Sequence, residues 1–245
     1  MLRPFLIAAQ FLTRLPIPRL NTITERDTGR SMLFYPLVGL IIGLLLAALL
    51  LVMGKAPPAL QAALLLAVWV LITGGLHLDG LADSADAWVG GLGDRERTLA
   101  IMKDPNCGPA GGVAIVLVLL LKFAALDAAV VSGDWTALLL APVLGRTAPP
   151  LLFLTTPYVR RQGLGSTLTG HLPRRTAALV TAATAAAILL SAGINALWPV
   201  ISATGVFALC RAMMVRRIGG ATGDTAGALV EITETAVLIT AVLLA

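Results

Sequence analysis

The sequence predicts an all-α, polytopic membrane bundle of about seven spanning helices with short interfacial helices, folded as one domain over residues 1–245. Three observations predict it. Hydrophobic residues make up 58% of the chain and charged residues 13%, with a mean hydropathy of +0.90, whereas a soluble domain carries about 25% charged residues. Apolar stretches close to the roughly 20 residues needed to cross a bilayer recur evenly along the chain. The basic residues between them collect on alternate loops.

Residues 1–15 are too short to cross, carry Arg3 and Arg14, and are cut off by Pro16 and Pro18. They read as an interfacial or partly re-entrant helix, and without a small-residue cleavage site they do not read as a signal peptide. Spans are expected at residues 33–53, 58–73 (with room to run on to Leu78), 112–131, 136–156, 176–194, 196–213 and 226–245. Residues 94–103 form a short amphipathic helix, ended by Pro105, Asn106, Gly108 and Pro109.

The basic residues test this scheme. With residues 1–32 inside, the inside segments are 1–32, 74–111, 157–175 and 211–225, which hold 15 of the 18 Lys and Arg residues. The remaining three are Lys55 outside and Lys122 and Arg146 within spans. One missing or surplus span would scramble that alternation. The net charge of +5 and pI near 9.9 are therefore topology, and no nucleic-acid partner is needed to explain them. Cys107 and Cys210 stand far apart without ligand spacing and read as ordinary thiols.

Eleven of the 13 acidic residues fall in or beside the inside segments, Asp127 and Asp134 being the exceptions. The densest run is Gly74-Gly75-Leu76-His77-Leu78-Asp79-Gly80-Leu81-Ala82-Asp83-Ser84-Ala85-Asp86. On a helix Asp79, Asp83 and Asp86 share one stripe, an arc of roughly 60°. Like charges so placed repel. A hard cation such as Mg²⁺, held by carboxylates and substrate phosphates, relieves that repulsion; a solvated acidic face is the alternative. A second run, Gly219-Gly220-Ala221-Thr222-Gly223-Asp224 through Glu231 to Glu234, repeats the spacing Gly-Gly-x-x-x-Asp-x6-Asp/Glu. It reads either as a degenerate repeat converging on shared ions or as coincidence in a chain with 24 glycines. Glu231 and Glu234 open the last span, where ionisable residues signal function or a partner.

Lys103 and Asp104 with Gly108 could cradle a phosphate on freed backbone N–H groups or form a plain surface turn, and the same holds for the run Arg160 to Gly165. Arg146, inside a span, calls for an anionic ligand or one of the carboxylates. His77, beside Asp79, is a candidate base or ligand, although a lone His is more often structural.

Taken in order, Phe11 to Pro18, Tyr35-Pro36-Leu37-Val38-Gly39, the Gly74 to Asp86 run, Ile101-Met102-Lys103-Asp104 with Gly108, Leu144-Gly145-Arg146, Gly163-Leu164-Gly165, and Gly219-Gly220-x-Thr222-Gly223-Asp224 with Glu231 resemble the adenosylcobinamide-GDP ribazoletransferases, or cobalamin synthases, over nearly the whole chain. The resemblance implies a Mg²⁺-dependent enzyme of the bacterial inner membrane with its active site facing the cytoplasm. It would join adenosylcobinamide-GDP to α-ribazole or its 5′-phosphate and release GMP. Such catalysis is mainly positioning and charge neutralisation. Carried onto this chain, the resemblance makes Asp79, Asp83, Asp86 and Asp224, with Glu231, the expected Mg²⁺ ligands. It makes Lys103, Arg146 and Arg217 phosphate contacts, alongside Asp104 and Gly108, and it places His77, Asp79, Asp83 and Lys103 in the catalytic set. Its partners are the two small-molecule substrates and the lipid bilayer, and a homo-oligomer is admitted. Pro109 departs from the family's loop, which usually runs on through a flexible residue. Two rivals remain. Asp79-Gly80-Leu81-Ala82 matches part of the CDP-alcohol phosphotransferase signature, but Asp83 stands where an Arg belongs. A secondary transporter would also carry intramembrane charges, but nearer the midplane.

Overall fold

The computed structural model describes residues 2–18, 20, 22–133, 135–160 and 164–244. Arg19, Asp134, Arg161, Gln162 and Gly163, which enter the sequence reading, lie outside the described residues. Twelve α-helices follow one another among the described residues. The first half holds α1 (Leu2–Leu12), α2 (Glu25–Ser31), α3 (Tyr35–Met53), α4 (Pro58–Thr73), α5 (Leu76–Gly90) and α6 (Arg95–Ile101). The second holds α7 (Pro109–Ser132), α8 (Thr136–Thr155), α9 (Leu164–Gly170), α10 (Arg174–Ala192), α11 (Leu197–Ile218) and α12 (Gly223–Leu243).

Among the described residues, six helices are long and apolar enough to cross a membrane: α3 with its α2 lead-in, α7, α8, α10, α11 and α12. The pair α4–α5, bent by 87°, brings the number to seven when its apolar limb α4 is counted as the crossing part. The expected all-α bundle of about seven spans is thus met. Prolines set several starts, since a missing N–H costs nothing in the first helical turn: Pro36, Pro58 and Pro109 stand at the openings of α3, α4 and α7. Pro109, the departure noted in the sequence, is therefore a helix start rather than a disturbance of the loop.

The second span does not run on to Leu78. Gly74 and Gly75 take φ of 63° and 69°, left-handed backbone in which any side chain is strained, and the N–H groups of both close on the end of α4. The backbone N–H of Arg14 caps the same turn by donating to the Ile72 carbonyl at 2.6 Å. The chain restarts as α5, whose more polar sequence turns away from the apolar limb.

α8 is the centre of the bundle, packed between α3 and α12. Its apolar window is 83% buried, against 11% for α10 and α11, which lie at the periphery. Gly39 and Gly43 let α3 close on α8, for a Cβ at Gly39 would sit 2.4 Å from the Pro142 carbonyl oxygen. Small residues four apart are a common means of bringing spanning helices together.

Polar contacts gather one set of helix ends. Arg14 meets the end of α4, Asp86 the start of α7, and Arg211 and Arg174 the last carbonyls of α8. Arg217, near the end of α11, reaches α5 and α6. These are the ends that the basic alternation assigns to one face.

Candidate active site

α5 and α12 cross at close range on that face. A Cβ at Gly80 would lie 2.7 Å from the Asp224 carbonyl oxygen, and one at Gly227 would lie 3.4 Å from the Cα of His77. The crossing sets Asp79 and Asp83 of α5 opposite Asp224 in the first turn of α12. α12 begins there because Thr222 and Thr225 cap each other. The Thr222 hydroxyl accepts from the Thr225 N–H at 3.1 Å and the Thr225 hydroxyl accepts from the Thr222 N–H at 2.9 Å. The strand-like pairing of Pro157–Val159 with Ala221 brings the segment after α8 alongside. This pairing delivers Arg160 to Asp224, at 2.6 Å, and to the Met102 carbonyl, at 3.3 Å.

Asp79 is exposed, while Asp83 and Asp224 are half-buried. Burial and the neighbouring charges of Asp79 and Asp224 raise the Asp83 carboxyl to about 6, against the pull of Arg160. The cleft therefore holds more negative charge than its one arginine neutralises. Lys103 follows Met102 directly, is exposed, and makes no side-chain hydrogen bond or ion pair among the described residues. Asp104 is occupied otherwise: its carboxylate accepts from the Asn106 N–H at 3.0 Å and from the Asn106 amide at 2.7 Å, which holds it below its ordinary pKa.

The other expected site residues stand elsewhere. Asp86 turns to α7, accepting from the N–H of Gly108 at 2.7 Å and of Gly111 at 2.9 Å. It caps a helix whose own N-cap residue, Gly108, has no side chain to do so. The Gly108 N–H expected to meet a phosphate is thereby taken. Glu231 accepts from Lys122 at 2.6 Å, deep in the bundle. Arg146 is fully buried and pairs with Glu234, which also accepts from Lys122 at 2.5 Å. Arg217 donates to the Thr98 hydroxyl at 3.1 Å and the Trp88 carbonyl at 2.7 Å, joining α11 to α6 and α5. Of the alternatives for Arg146, the structure has the carboxylate.

No three His, Cys, Asp or Glu side chains converge tightly enough to form a ready-made coordination shell among the described residues. Mg²⁺ does not require one, because it is usually held by one or two carboxylates together with substrate phosphates and water. Asp79, Asp83 and Asp224 fit that donor chemistry, and the raised Asp83 carboxyl marks the charge a cation would relieve. His77 is buried at the start of α5, its Nδ1 without a hydrogen-bond partner among the described residues. Sequence reasoning missed Lys122 as the partner of both glutamates and Arg160 as the partner of Asp224. Lys122 had a signal, a lone cation in one apolar span answering carboxylates in another. Arg160 had none beyond its sign.

Fold and site together define a multi-pass helical protein with a carboxylate cleft at one end of its bundle. The model of the cobalamin-5-phosphate synthase family matches residues 4–242. The adenosylcobinamide-GDP ribazoletransferase of Pseudomonas fluorescens strain Pf-5 is 56% identical over 236 residues, covering 96% of this chain and 97% of the relative. Those of Pseudomonas putida strain GB-1 and Pseudomonas paraeruginosa strain PA7 are 57% and 54% identical, over 96% and 97% of this chain and 97% of each relative. No solved structure matches the chain. The chain belongs to the cobalamin-5-phosphate synthase family and is an enzyme of cobalamin synthesis.

Proposed function

We infer that this chain is a Mg²⁺-dependent transferase of the bacterial inner membrane that joins adenosylcobinamide-GDP to α-ribazole or its 5′-phosphate and releases GMP. The carrying observation is the placement of Asp79 and Asp83 opposite Asp224 at the closest crossing of α5 and α12. Family membership supports the reaction class, and the concentration of basic residues at the cleft's end of the bundle supports a cytoplasmic active site.

A ribose hydroxyl oxygen bonds to the phosphorus next to the corrinoid side chain, the bond from that phosphorus to the bridging oxygen breaks, and GMP leaves with that oxygen. The hydroxyl proton must be taken up. His77, which lines the cavity beside Asp79 and Asp224, is the candidate base for that proton. Asp79, Asp83 and Asp224 would hold Mg²⁺, which when bound supplies neutralisation of the diphosphate charge. Arg160 is the cation paired at the cleft, and it and the exposed Lys103, next to Met102, are the candidates to meet phosphate oxygens. Arg146 and Arg217, bound into the scaffold, act on the fold instead. Purified protein supplied with adenosylcobinamide-GDP, α-ribazole and Mg²⁺ should produce GMP. A folded sample that produces none refutes the assignment.

A further inference from the structure

Away from the carboxylates, a groove of about 890 Å³ opens between α3, α8 and α10, and it shares no lining residue with the cavity at Asp79 and Asp224. Leu37 and Leu40 of α3 and Val180 and Ile188 of α10 line it, and no charged side chain does. The hydroxyls of Thr184 and Ser191, which also line it, donate within their own helix to the Val180 and Ile188 carbonyls. A polar ligand would be buried there without partners. The groove is built for hydrocarbon.

It is continuous with the apolar surface of the spans, for Leu37 and Leu40 are 43% and 38% exposed. Its positions on α10 run from Val180 to Ala192, about 18 Å at the rise of an α-helix. That is slightly more than half of the roughly 30 Å hydrocarbon core, the reach of an acyl chain from one leaflet. Only one end of the groove is charged. Arg30 stands three residues before Leu33, and Arg174 and Arg175 open α10 ahead of Val180. The two elements touch, since a Cβ at Gly29 would lie 2.3 Å from the His171 carbonyl. Arg174 donates to the Leu154 carbonyl. Arg30 and Arg175 are exposed and make no side-chain hydrogen bond or ion pair among the described residues. The carboxylates nearby are engaged, Glu25 with His171 at 3.5 Å and Asp27 with the Thr24 hydroxyl at 2.8 Å. Toward the other end, residues 123–145 and 176–210 contain no Lys or Arg.

We propose that the groove binds one anionic phospholipid of the inner leaflet, its acyl chain lying along α10 between α3 and α8 and its phosphate meeting Arg30 and Arg175. Charge sets the class of lipid, because basic residues beside spanning helices at the cytoplasmic face attract anionic head groups, each strengthening binding severalfold. Such binding rests on the bilayer crossing and orientation inferred above and is independent of the transfer reaction. α10 packs on α8 yet only 11% of its apolar window is buried, so the lipid supplies contacts to α10 that the protein does not.

The test is lipid retention by the full chain in mild detergent, read by native mass spectrometry and by thermal unfolding after adding phosphatidylglycerol or phosphatidylcholine with identical acyl chains. The wild type should retain one phosphatidylglycerol at about a tenfold lower concentration than phosphatidylcholine, and only phosphatidylglycerol should raise its thermal midpoint by several degrees. Arg30→Gln combined with Arg175→Gln should bring the two lipids within about twofold of each other. Ala187→Phe fills the groove from an exposed position and leaves every arginine in place. It should abolish both the retained lipid and the thermal gain, and it decides the matter if the double variant gives no monodisperse gel-filtration peak. Equal retention of the two lipids by the wild type, or a phosphatidylglycerol preference that survives either variant, overturns the site. A lipid-free dimer that Ala187→Phe dissociates also overturns it, because a second copy of the chain then covers the groove.

Discussion

Replacing Lys122 by Met tests how the apolar layer holds its charges. Lys122 and Arg146 face Glu231 and Glu234 in a cluster whose side chains are at most 6% exposed, two cations balanced by two carboxylates. Trp69 adds its ring 4.8 Å from the Lys122 ammonium. Removing one partner of a buried pair leaves a charge that neither water nor protein neutralises, at about 3–5 kcal/mol. For a chain of this length that lowers the thermal midpoint by roughly 6–20 °C. Adding Glu231→Gln to Lys122→Met restores neutrality, because Arg146 and Glu234 remain paired. The double variant then lacks only hydrogen bonds, each worth about 0.5–1.5 kcal/mol or somewhat more when charged. It should be more stable than Lys122→Met alone, a coupling that a double-mutant cycle reads directly. Thermal unfolding in detergent, followed by the loss of the monodisperse gel-filtration peak, supplies the midpoints. Additive losses in the double variant would refute the argument, because they would mean that each charge is solvated independently.

Gly80→Ala puts a methyl group 2.7 Å from the Asp224 carbonyl oxygen; overpacking of this kind costs about 1–3 kcal/mol, and the variant should insert normally but lose at least tenfold in turnover, so wild-type kcat would contradict the close crossing as the basis of the site. Arg160→Gln removes the cation that competes for Asp224; the apparent Mg²⁺ affinity should rise while kcat falls, with stability changing by less than about 1 kcal/mol because the pair is part-exposed, and an unchanged or lower Mg²⁺ affinity would refute the competition. Asp83 has a folded-state pKa of about 6, above its ordinary 3.8, so its protonation favours the fold: that contribution is full below pH 4 and lost as pH rises through 6. Asp83→Asn should therefore raise the thermal midpoint in EDTA at pH 7 and leave it unchanged near pH 4, by an amount on the order of 1 kcal/mol after solvent screening; a midpoint lowered at pH 7 would refute the sign.

The spans were legible because each is a continuous apolar run closed by proline, glycine or charge, features local to the run. Residues 58–73 read from the sequence became α4 with the same bounds. The right-angle turn after it was written in Gly74-Gly75, but a pair of glycines states that the chain can bend and not by how much. The acidic stripes were legible for the same local reason, their helical period. Their partners were not, because pairing is tertiary: Asp86 closes on Gly108 and Gly111, 22 and 25 residues away, and Glu231 on Lys122, 109 residues away.

The spacing shared by the two acidic runs takes on a physical meaning once those partners are known. In each run the first carboxylate, Asp79 or Asp224, lies in the first turn of its helix and faces the cleft. The carboxylate seven residues on, Asp86 or Glu231, fastens to α7, the former at its first turn and the latter at Lys122 within it. Two helix turns separate the group that faces the cleft from the group that anchors. α5 and α12 are thus both pinned to one helix, and α7 fixes how far Asp79 and Asp83 stand from Asp224. A change at Lys122, far from the cleft in sequence, must then alter the geometry of the carboxylates as well as the stability of the bundle.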